Sequence, residues 1–154
     1  MKFGIELGFQ LPRPWSSESE AELYESRLTI AELADQLGFD SLWVEEHHFL
    51  EEYCHLSSPE VFLAACTQRT TQIRLGFGVM LLPPMINNPV RSAEKVAALD
   101  LLAKGRVEFG VGSSSDRLGT TAWGVDWDKR QEMTEEVLGQ VARMMVEEPY
   151  RGYD

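Results

Sequence analysis

Apolar and polar positions along the chain follow two patterns, one typical of strands and one typical of helices, and the two alternate four times. Short apolar runs, typical of buried parallel strands, precede longer segments in which apolar residues recur every three or four positions, as in amphipathic helices. The pattern predicts strands at residues 3–9, 41–45, 73–80 and 106–112, each followed by a helix.

Capping signals set the ends of the predicted helices. The first helix is capped by Ser16, Ser17 or Ser19 and runs to Gly38, where glycine favours a helix end. Prolines at first-turn positions predict the starts of the second and third helices, at 58–69 and from about 88 to 105. A polar loop at 113–124 precedes a last helix at about 128–148.

The connections are short from helix to strand and long from strand to helix, which is typical of a TIM-type barrel with functional loops on one face. A closed barrel needs eight strand–helix units and about 250 residues. The predicted fold is therefore α/β, the first four units of a TIM-type (β/α)8 barrel. We expect a half-barrel, a single domain over residues 1–154 that is incomplete at its carboxyl end.

Composition narrows the class of protein. The 154 residues include 14 Lys and Arg against 25 Asp and Glu, so the net charge of −11 disfavours nucleic acid or anionic lipid as a partner. The apolar stretch at 79–86 is interrupted by two prolines and is too short to span a bilayer. Two cysteines without CxxC spacing indicate reduced thiols. We expect a soluble, cytoplasmic protein.

The stretch Glu46-His47-His48-Phe49 directly follows the second predicted strand. In parallel α/β folds the carboxyl ends of strands carry the chemistry. Adjacent residues on an extended segment point in opposite directions, so one imidazole alone can face a ligand. A proton-exchanging histidine and a structural histidine are both compatible with this spacing. A metal site would need three or four ligands, which the sequence does not group together, so none is predicted.

Small residues mark two further strand ends. Gly76 and Gly78 lie within the third strand, where glycine indicates a bulge, tight packing or the close approach of a ligand. The segment 110–115 combines glycine with serine and could bind an anion, although it lacks phosphate-loop spacing.

The ordered set of motifs resembles the bacterial-luciferase-like flavin-dependent monooxygenases over essentially the whole chain. The residues that carry the resemblance are Met1-Lys2-Phe3-Gly4, Gly38-Phe39-Asp40, Glu46-His47-His48-Phe49, Ser58-Pro59-Glu60-Val61, Leu82-Pro83, Asn88-Pro89-Val90-Arg91 with Glu94, Gly105-Arg106 before Phe109-Gly110, and Gly124-Val125-Asp126 before Arg130.

The resemblance implies a (β/α)8 barrel that binds reduced flavin mononucleotide (FMN) at its carboxyl-end face. In this family reduced flavin and O2 form a flavin hydroperoxide, which oxidises a small organic substrate such as an aldehyde or a hydrocarbon. A deazaflavin is the alternative cofactor, and a flavin reductase is the expected supplier of electrons. Complete family members are longer, so the chain matches their amino-terminal half.

Residue by residue, the resemblance implies that His47 and Glu46 are catalytic. It places a non-proline cis peptide under the flavin at Gly78-Val79. The cofactor-binding residues implied are Gly78, Val79, Gly112, Ser113 and Arg130. Gly112 and Ser113 occupy the positions of luciferase's reactive Cys and phosphate-binding Arg, so light emission is not expected.

Arg130 matches a second arginine near the phosphate and could equally be a helix-surface residue. The alternative function is a non-catalytic, truncated half-barrel that binds flavin weakly or only after association. In that case the partner is a second copy of the chain or a missing carboxyl-terminal half.

Overall fold

Four parallel strands form the sheet of the computed structural model, which describes residues 1–152. In spatial order they are β1 (Gly4–Leu7), β2 (Ser41–Val44), β3 (Arg74–Leu81) and β4 (Val107–Gly112). Each strand pairs in parallel with the next one along the chain. The four predicted strands are thereby confirmed, with ends that differ by one or two residues.

The helices are α1 (Ser19–Gln36), α2 (Pro59–Arg69), α3 (Pro89–Ala103), α4 (Arg117–Ala122) and α5 (Arg130–Val146), and α5 is preceded by a 3-10 turn (Trp127–Lys129). The serine cap predicted for α1 is wrong. Its N-cap is Glu18, whose side chain makes no cap bond and instead accepts the Ser17 hydroxyl at 2.6 Å. The short helix α4 lies within a predicted loop. No helix among residues 1–152 combines the length and apolarity needed to cross a bilayer.

The core lies between the helices and one face of the sheet. Strand register places Ile5, Leu42, Leu75 and Val107 in one row across that face, and all but the two outer ones are fully buried. Residues in a row share a face because side chains alternate along each strand. Buried apolar side chains of the helices cover these rows, among them Ala31, Phe62, Leu63 and Leu99.

The opposite face of the sheet is built around Trp43. The register aligns Trp43 with Gly76, and a Cβ atom on Gly76 would lie 2.4 Å from the indole ring. A Cβ on Gly78 would lie 3.3 Å from Cβ of Trp43. Glycine at 76 is therefore required for this indole to pack against the neighbouring strand.

A bulge interrupts β3 near its carboxyl end. Phe77 pairs with Phe109 and Met80 pairs with Val111, so two residues of β3 oppose one residue of β4. The two residues are Gly78 and Val79, and the peptide bond between them is cis. The predicted bulge and non-proline cis peptide are both present.

Candidate active site

Four consecutive ionisable residues, Glu45 to His48, follow the end of β2. His47 Nε2 lies 3.5 Å from a carboxylate oxygen of Glu45, and His48 Nε2 lies 3.0 Å from Glu46 Oε1. Each imidazole is thus held by a different carboxylate. This confirms the expectation, based on side-chain alternation, that the two histidines face different surroundings.

The strand-end cleft is a cavity of about 260 Å³ between the carboxyl ends of β2, β3 and β4. Its lining residues are Glu45, Glu46, His47, Gly78, Val79, Leu81, Gly112, Ser113, Ser114 and Ser115. Six of the seven residues predicted from the sequence are among them. The structure therefore gathers the predicted residues of three separate strands around one space.

Arg130 is the seventh predicted residue, and it lies behind the wall of the cleft. Its Nε donates to the carbonyl oxygen of Ser114 at 3.3 Å, and its guanidinium carbon stands 3.7 Å from the ring centroid of Trp127. A second guanidinium nitrogen donates to the Trp127 carbonyl at 2.8 Å. Arg130 thus contacts the serine segment from the start of α5 and is half-buried there.

Close packing of small residues shapes the floor of the cleft. A Cβ atom on Gly112 would lie 2.6 Å from Val79 Cγ2, so β4 ends in glycine where the bulge of β3 approaches it. With Gly78 beside Val79, this part of the wall presents backbone and one short apolar side chain. A flat ring could approach the backbone here.

Glu46 is the most buried ionisable residue of the cleft, with 4% of its surface exposed. Its Oε2 accepts the backbone N–H of Leu81 at 2.8 Å. Its Oε1 accepts the Asn87 side-chain amide at 2.9 Å and faces His48 Nε2 at 3.0 Å. Since an ionised carboxylate can only accept, His48 must donate from Nε2. Glu46 therefore ties the end of β2 to the end of β3 and to the loop before α3.

Two members of this network, Asn87 and Lys95, were not predicted from the sequence. Asn87 Nδ2 also donates to the Leu81 carbonyl at 2.8 Å, and Lys95 Nζ donates to Asn87 Oδ1 at 3.2 Å. Lys95 pairs in turn with Glu60 at 2.8 Å. These residues line a second space of about 260 Å³, the polar cavity, which shares Glu46 with the cleft.

Glu45 fixes His47 from the other side. Burial tends to raise the pKa of Glu45, but hydrogen bonding to His47 and to the Phe9 backbone N–H outweighs it, and the pKa is lowered overall. Glu45 is therefore ionised at neutral pH. The His47 backbone N–H donates to Leu56 at 3.2 Å, and the Tyr53 ring packs edge-on at 5.4 Å. These contacts hold the imidazole at the wall of the cleft.

Within residues 1–152, no group of three His, Cys, Asp or Glu side chains is arranged to hold a metal ion. Cys54 and Cys66 are buried free thiols. Burial raises the pKa of each to about 12, so neither is a thiolate nucleophile near neutral pH.

Titratable side chains and glycines at the carboxyl edge of a parallel α/β sheet are typical of enzymes that bind their ligands at this edge. Sequence comparison specifies the class: the model of the luciferase-like monooxygenase family matches residues 1–153. The chain belongs to this family.

Individual relatives agree with the family assignment. Limonene 1,2-monooxygenase of Rhodococcus erythropolis is 36% identical over 138 residues, which are 88% of this chain and 35% of that protein. The monooxygenase RslO1 of Streptomyces bottropensis superimposes with a TM-score of 0.85 at 34% identity, over 96% of this chain and 44% of RslO1.

The oxygenating constituent of 3,6-diketocamphane monooxygenase from Pseudomonas putida, solved in complex with FMN, shares the fold. Its TM-score is 0.85 at 20% identity, over all of this chain and 42% of that one. The chain thus spans less than half the length of these relatives.

Proposed function

We propose that the chain is the flavin-binding, amino-terminal part of a monooxygenase that uses reduced FMN and O2 to oxidise a small organic substrate such as an aldehyde or a hydrocarbon. One observation carries the proposal: His47, Glu46, Gly78, Val79, Gly112 and Ser113 line one cleft at the carboxyl ends of three strands. That edge is where parallel α/β enzymes bind their ligands.

The side chains present fit a flavin. Gly78, Val79 and Gly112 leave a surface of backbone and small side chain against which a planar ring can lie. Ser113 borders the same space, and Arg130 supports the serine segment and supplies a positive charge beside it. Hydroxyl and guanidinium groups are suited to a phosphate. The bound reduced flavin would supply two electrons to O2.

The chain's own residues would exchange protons and orient the side chains of the cleft. His47 lines the cleft, and an imidazole exchanges protons near neutral pH. The ionised Glu45 lies 3.5 Å from His47 Nε2 and orients the imidazole. Glu46, the second member of the proposed catalytic pair, reaches the cleft and keeps the ends of β2 and β3 together.

Titration with FMN, oxidised and then reduced under anaerobic conditions, tests the proposal through flavin fluorescence and absorbance. We expect saturable binding that Arg130→Ala weakens about tenfold, the effect of losing one charge-assisted contact. Arg91→Ala is the matched control, since Arg91 is exposed and pairs with Glu94 of its own helix. A deazaflavin run in parallel decides between the two cofactors. Failure of both flavins to bind would overturn the proposal.

His47→Ala tests the chemical role separately. We expect it to reduce substrate oxidation by about a hundredfold or more while leaving FMN affinity within a few-fold of the unsubstituted chain. An oxidation rate unchanged by this substitution contradicts the assignment of His47.

The second candidate function is a half-barrel that becomes complete only by association, with a second copy or with a carboxyl-terminal half. In the described sheet β1 and β4 each pair with one neighbour, and free strand edges promote association. Apolar side chains are exposed on α1, at its C-cap and on α5, namely Leu33, Leu37, Leu138, Met145 and Val146. Size-exclusion chromatography with light scattering at micromolar concentration tests this, and a well-folded monomer would contradict it.

A further inference from the structure

Glu46 lines both the strand-end cleft and the polar cavity. Because one carboxylate borders both spaces, a group that holds Glu46 from the polar cavity also acts on the cleft. We propose that Lys95 is a positioning residue of this kind: through Asn87 it holds Glu46 in place and offsets its negative charge, which favours the reduced flavin over the oxidised one. The proposal rests on the proposed function, because it takes the cleft to be the flavin site.

The side-chain amide of Asn87 joins Lys95 to Glu46. Asn87 Nδ2 donates to Glu46 Oε1 at 2.9 Å and to the Leu81 carbonyl at 2.8 Å. On its other side, Asn87 Oδ1 accepts from Lys95 Nζ at 3.2 Å. An ammonium group can only donate and a carboxylate or carbonyl can only accept, so a reversed amide would oppose like groups at all three contacts. Lys95 therefore favours the orientation in which Asn87 donates to Glu46.

Burial makes this orientation matter. Asn87 is 8% exposed and Glu46 is 4% exposed, so neither side chain can readily exchange its partners for water. Without the ammonium group, Asn87 Oδ1 would lose the donor that the structure gives it, and a buried acceptor without a donor is destabilising. The amide could then turn, and Glu46 Oε1 would lose one of its donors.

Lys95 is itself held from the opposite side. Its Nζ lies 2.8 Å from Glu60 Oε1, and the two side chains are only 29% and 21% exposed. Glu60 belongs to the first turn of α2 and Lys95 to α3, so the ion pair spans two helices. The ammonium group is thereby kept beside Asn87.

Lys95 also differs in charge from the residues around it. Among the described residues that line the cleft or the polar cavity, it is the one lysine or arginine, against the glutamates Glu45, Glu46 and Glu60. Near neutral pH a reduced flavin carries a negative charge that the oxidised ring lacks, and charges close to the ring tune its electronic properties. Because electrostatic interactions are stronger away from bulk water, the charge of Lys95 should favour the reduced form.

Larger spaces in the described part of the chain do not reach Glu46. One of about 610 Å³ opens at the amino ends of the strands, and one of about 640 Å³ lies between α3, α5 and β4. Neither shares a lining residue with the cleft, and a space of about 490 Å³ shares His47 but not Glu46. Control of the buried carboxylate therefore comes from the polar cavity.

Two substitutions of Lys95 separate charge from size. Lys95→Met removes the charge and the donor, while Lys95→Arg keeps both. Lys104→Met is the matched control, since Lys104 is exposed at the C-cap of the same helix. Affinities for oxidised FMN and, under anaerobic conditions, for reduced FMN are measured by fluorescence and absorbance. We expect Lys95→Met to weaken reduced FMN about fivefold more than oxidised FMN, and the other two variants to keep the ratio within about twofold.

A second measurement needs no flavin. In NMR spectra of the flavin-free chain, the side-chain NH2 protons of Asn87 should exchange slowly with solvent, because Nδ2 donates to two acceptors in a buried site. Lys95→Met should speed this exchange about tenfold, and Lys95→Arg should keep it slow. Backbone amides of the four strands should keep their exchange rates in both variants, which separates a local change from unfolding.

The outcomes separate the two proposals. If FMN binds and Lys95→Met leaves the ratio of the two affinities unchanged, the role of Lys95 is overturned and the proposed function survives. If neither flavin binds while Asn87 exchange responds as expected, the proposed function fails and the hold of Lys95 on Glu46 stands. Unchanged Asn87 exchange in Lys95→Met, or an equal loss of reduced-FMN affinity in Lys95→Arg, would overturn the proposal.

Discussion

Glu46→Gln should destabilise the fold far more than its chemical similarity suggests. The substitution preserves the size of the side chain and replaces one acceptor oxygen with an NH2 group at a residue that is only 4% exposed. If the amide oxygen keeps the bonds to Asn87 and His48, the new NH2 group faces the Leu81 N–H, and two donors oppose each other. In the flipped orientation, the NH2 group instead faces the donors of Asn87 and His48.

Either orientation leaves at least one buried polar group without a partner, which costs about 1–3 kcal/mol. We therefore expect the free energy of unfolding to fall by about 2 kcal/mol for Glu46→Gln. Glu46→Ala abandons three donors and should cost about 4 kcal/mol. Against a typical total of about 5–15 kcal/mol, both losses are large.

Urea unfolding at pH 7, followed by circular dichroism, measures these losses. With a slope of about 2 kcal/mol per molar urea, Glu46→Gln should lower the midpoint by about 1 M. Glu51→Gln is the matched control, because the Glu51 side chain is 74% exposed, and its effect should stay within about 0.5 kcal/mol. A Glu46→Gln midpoint that matches that of Glu51→Gln would refute the role assigned to the buried carboxylate.

Three further expectations follow from other buried groups. Burial alone would raise the pKa of Asp35, but hydrogen bonds from backbone N–H groups, including that of Ile73, lower it below its ordinary value. Asp35→Asn should therefore lower the free energy of unfolding by about 2 kcal/mol at pH 7, as measured by urea unfolding. This difference should shrink as the pH falls through the folded-state pKa of Asp35. Cys54 and Cys66, each with a pKa near 12, should not react with a disulfide reagent at pH 8 until urea unfolds the chain; rapid labelling of the native protein would contradict this. Gly76→Ala should destabilise the chain by about 3 kcal/mol through its clash with Trp43, and Trp43→Leu should restore part of the loss if that clash is the cause.

The strands and the long helices could be predicted because their signals are local. Asn88 accepts the N–H groups of Val90 and Arg91 at 3.0 and 3.4 Å, as a cap before a first-turn proline should. Helix α4 could not be predicted in this way. It is six residues long, and its Gly119 approaches the His48 carbonyl so closely that a Cβ there would lie 2.6 Å away, a packing that no local pattern indicates.

In the candidate site, too, features set by local sequence signals could be predicted, whereas those set by distant contacts could not. Six predicted residues meet in the cleft because the carboxyl ends of neighbouring parallel strands must lie at one edge. The partners of Glu46 were not predictable, since Leu81 and Asn87 lie 35 and 41 residues further along the chain. Side-chain alternation separates His47 from His48, but it does not indicate which carboxylate each will meet.

Position rather than chemistry distinguishes the two imidazoles. His47 and His48 are the same side chain, each beside a glutamate, yet His47 lines the strand-end cleft and His48 donates into a buried structural network. Because side chains on an extended segment alternate, a shift of one residue at the end of β2 would exchange these surroundings. His48 is therefore unable to replace His47 from its own position. The function proposed for the cleft depends on the register that Glu46 fixes through Leu81, and so the buried carboxylate and the proposed proton-exchanging imidazole belong to one unit.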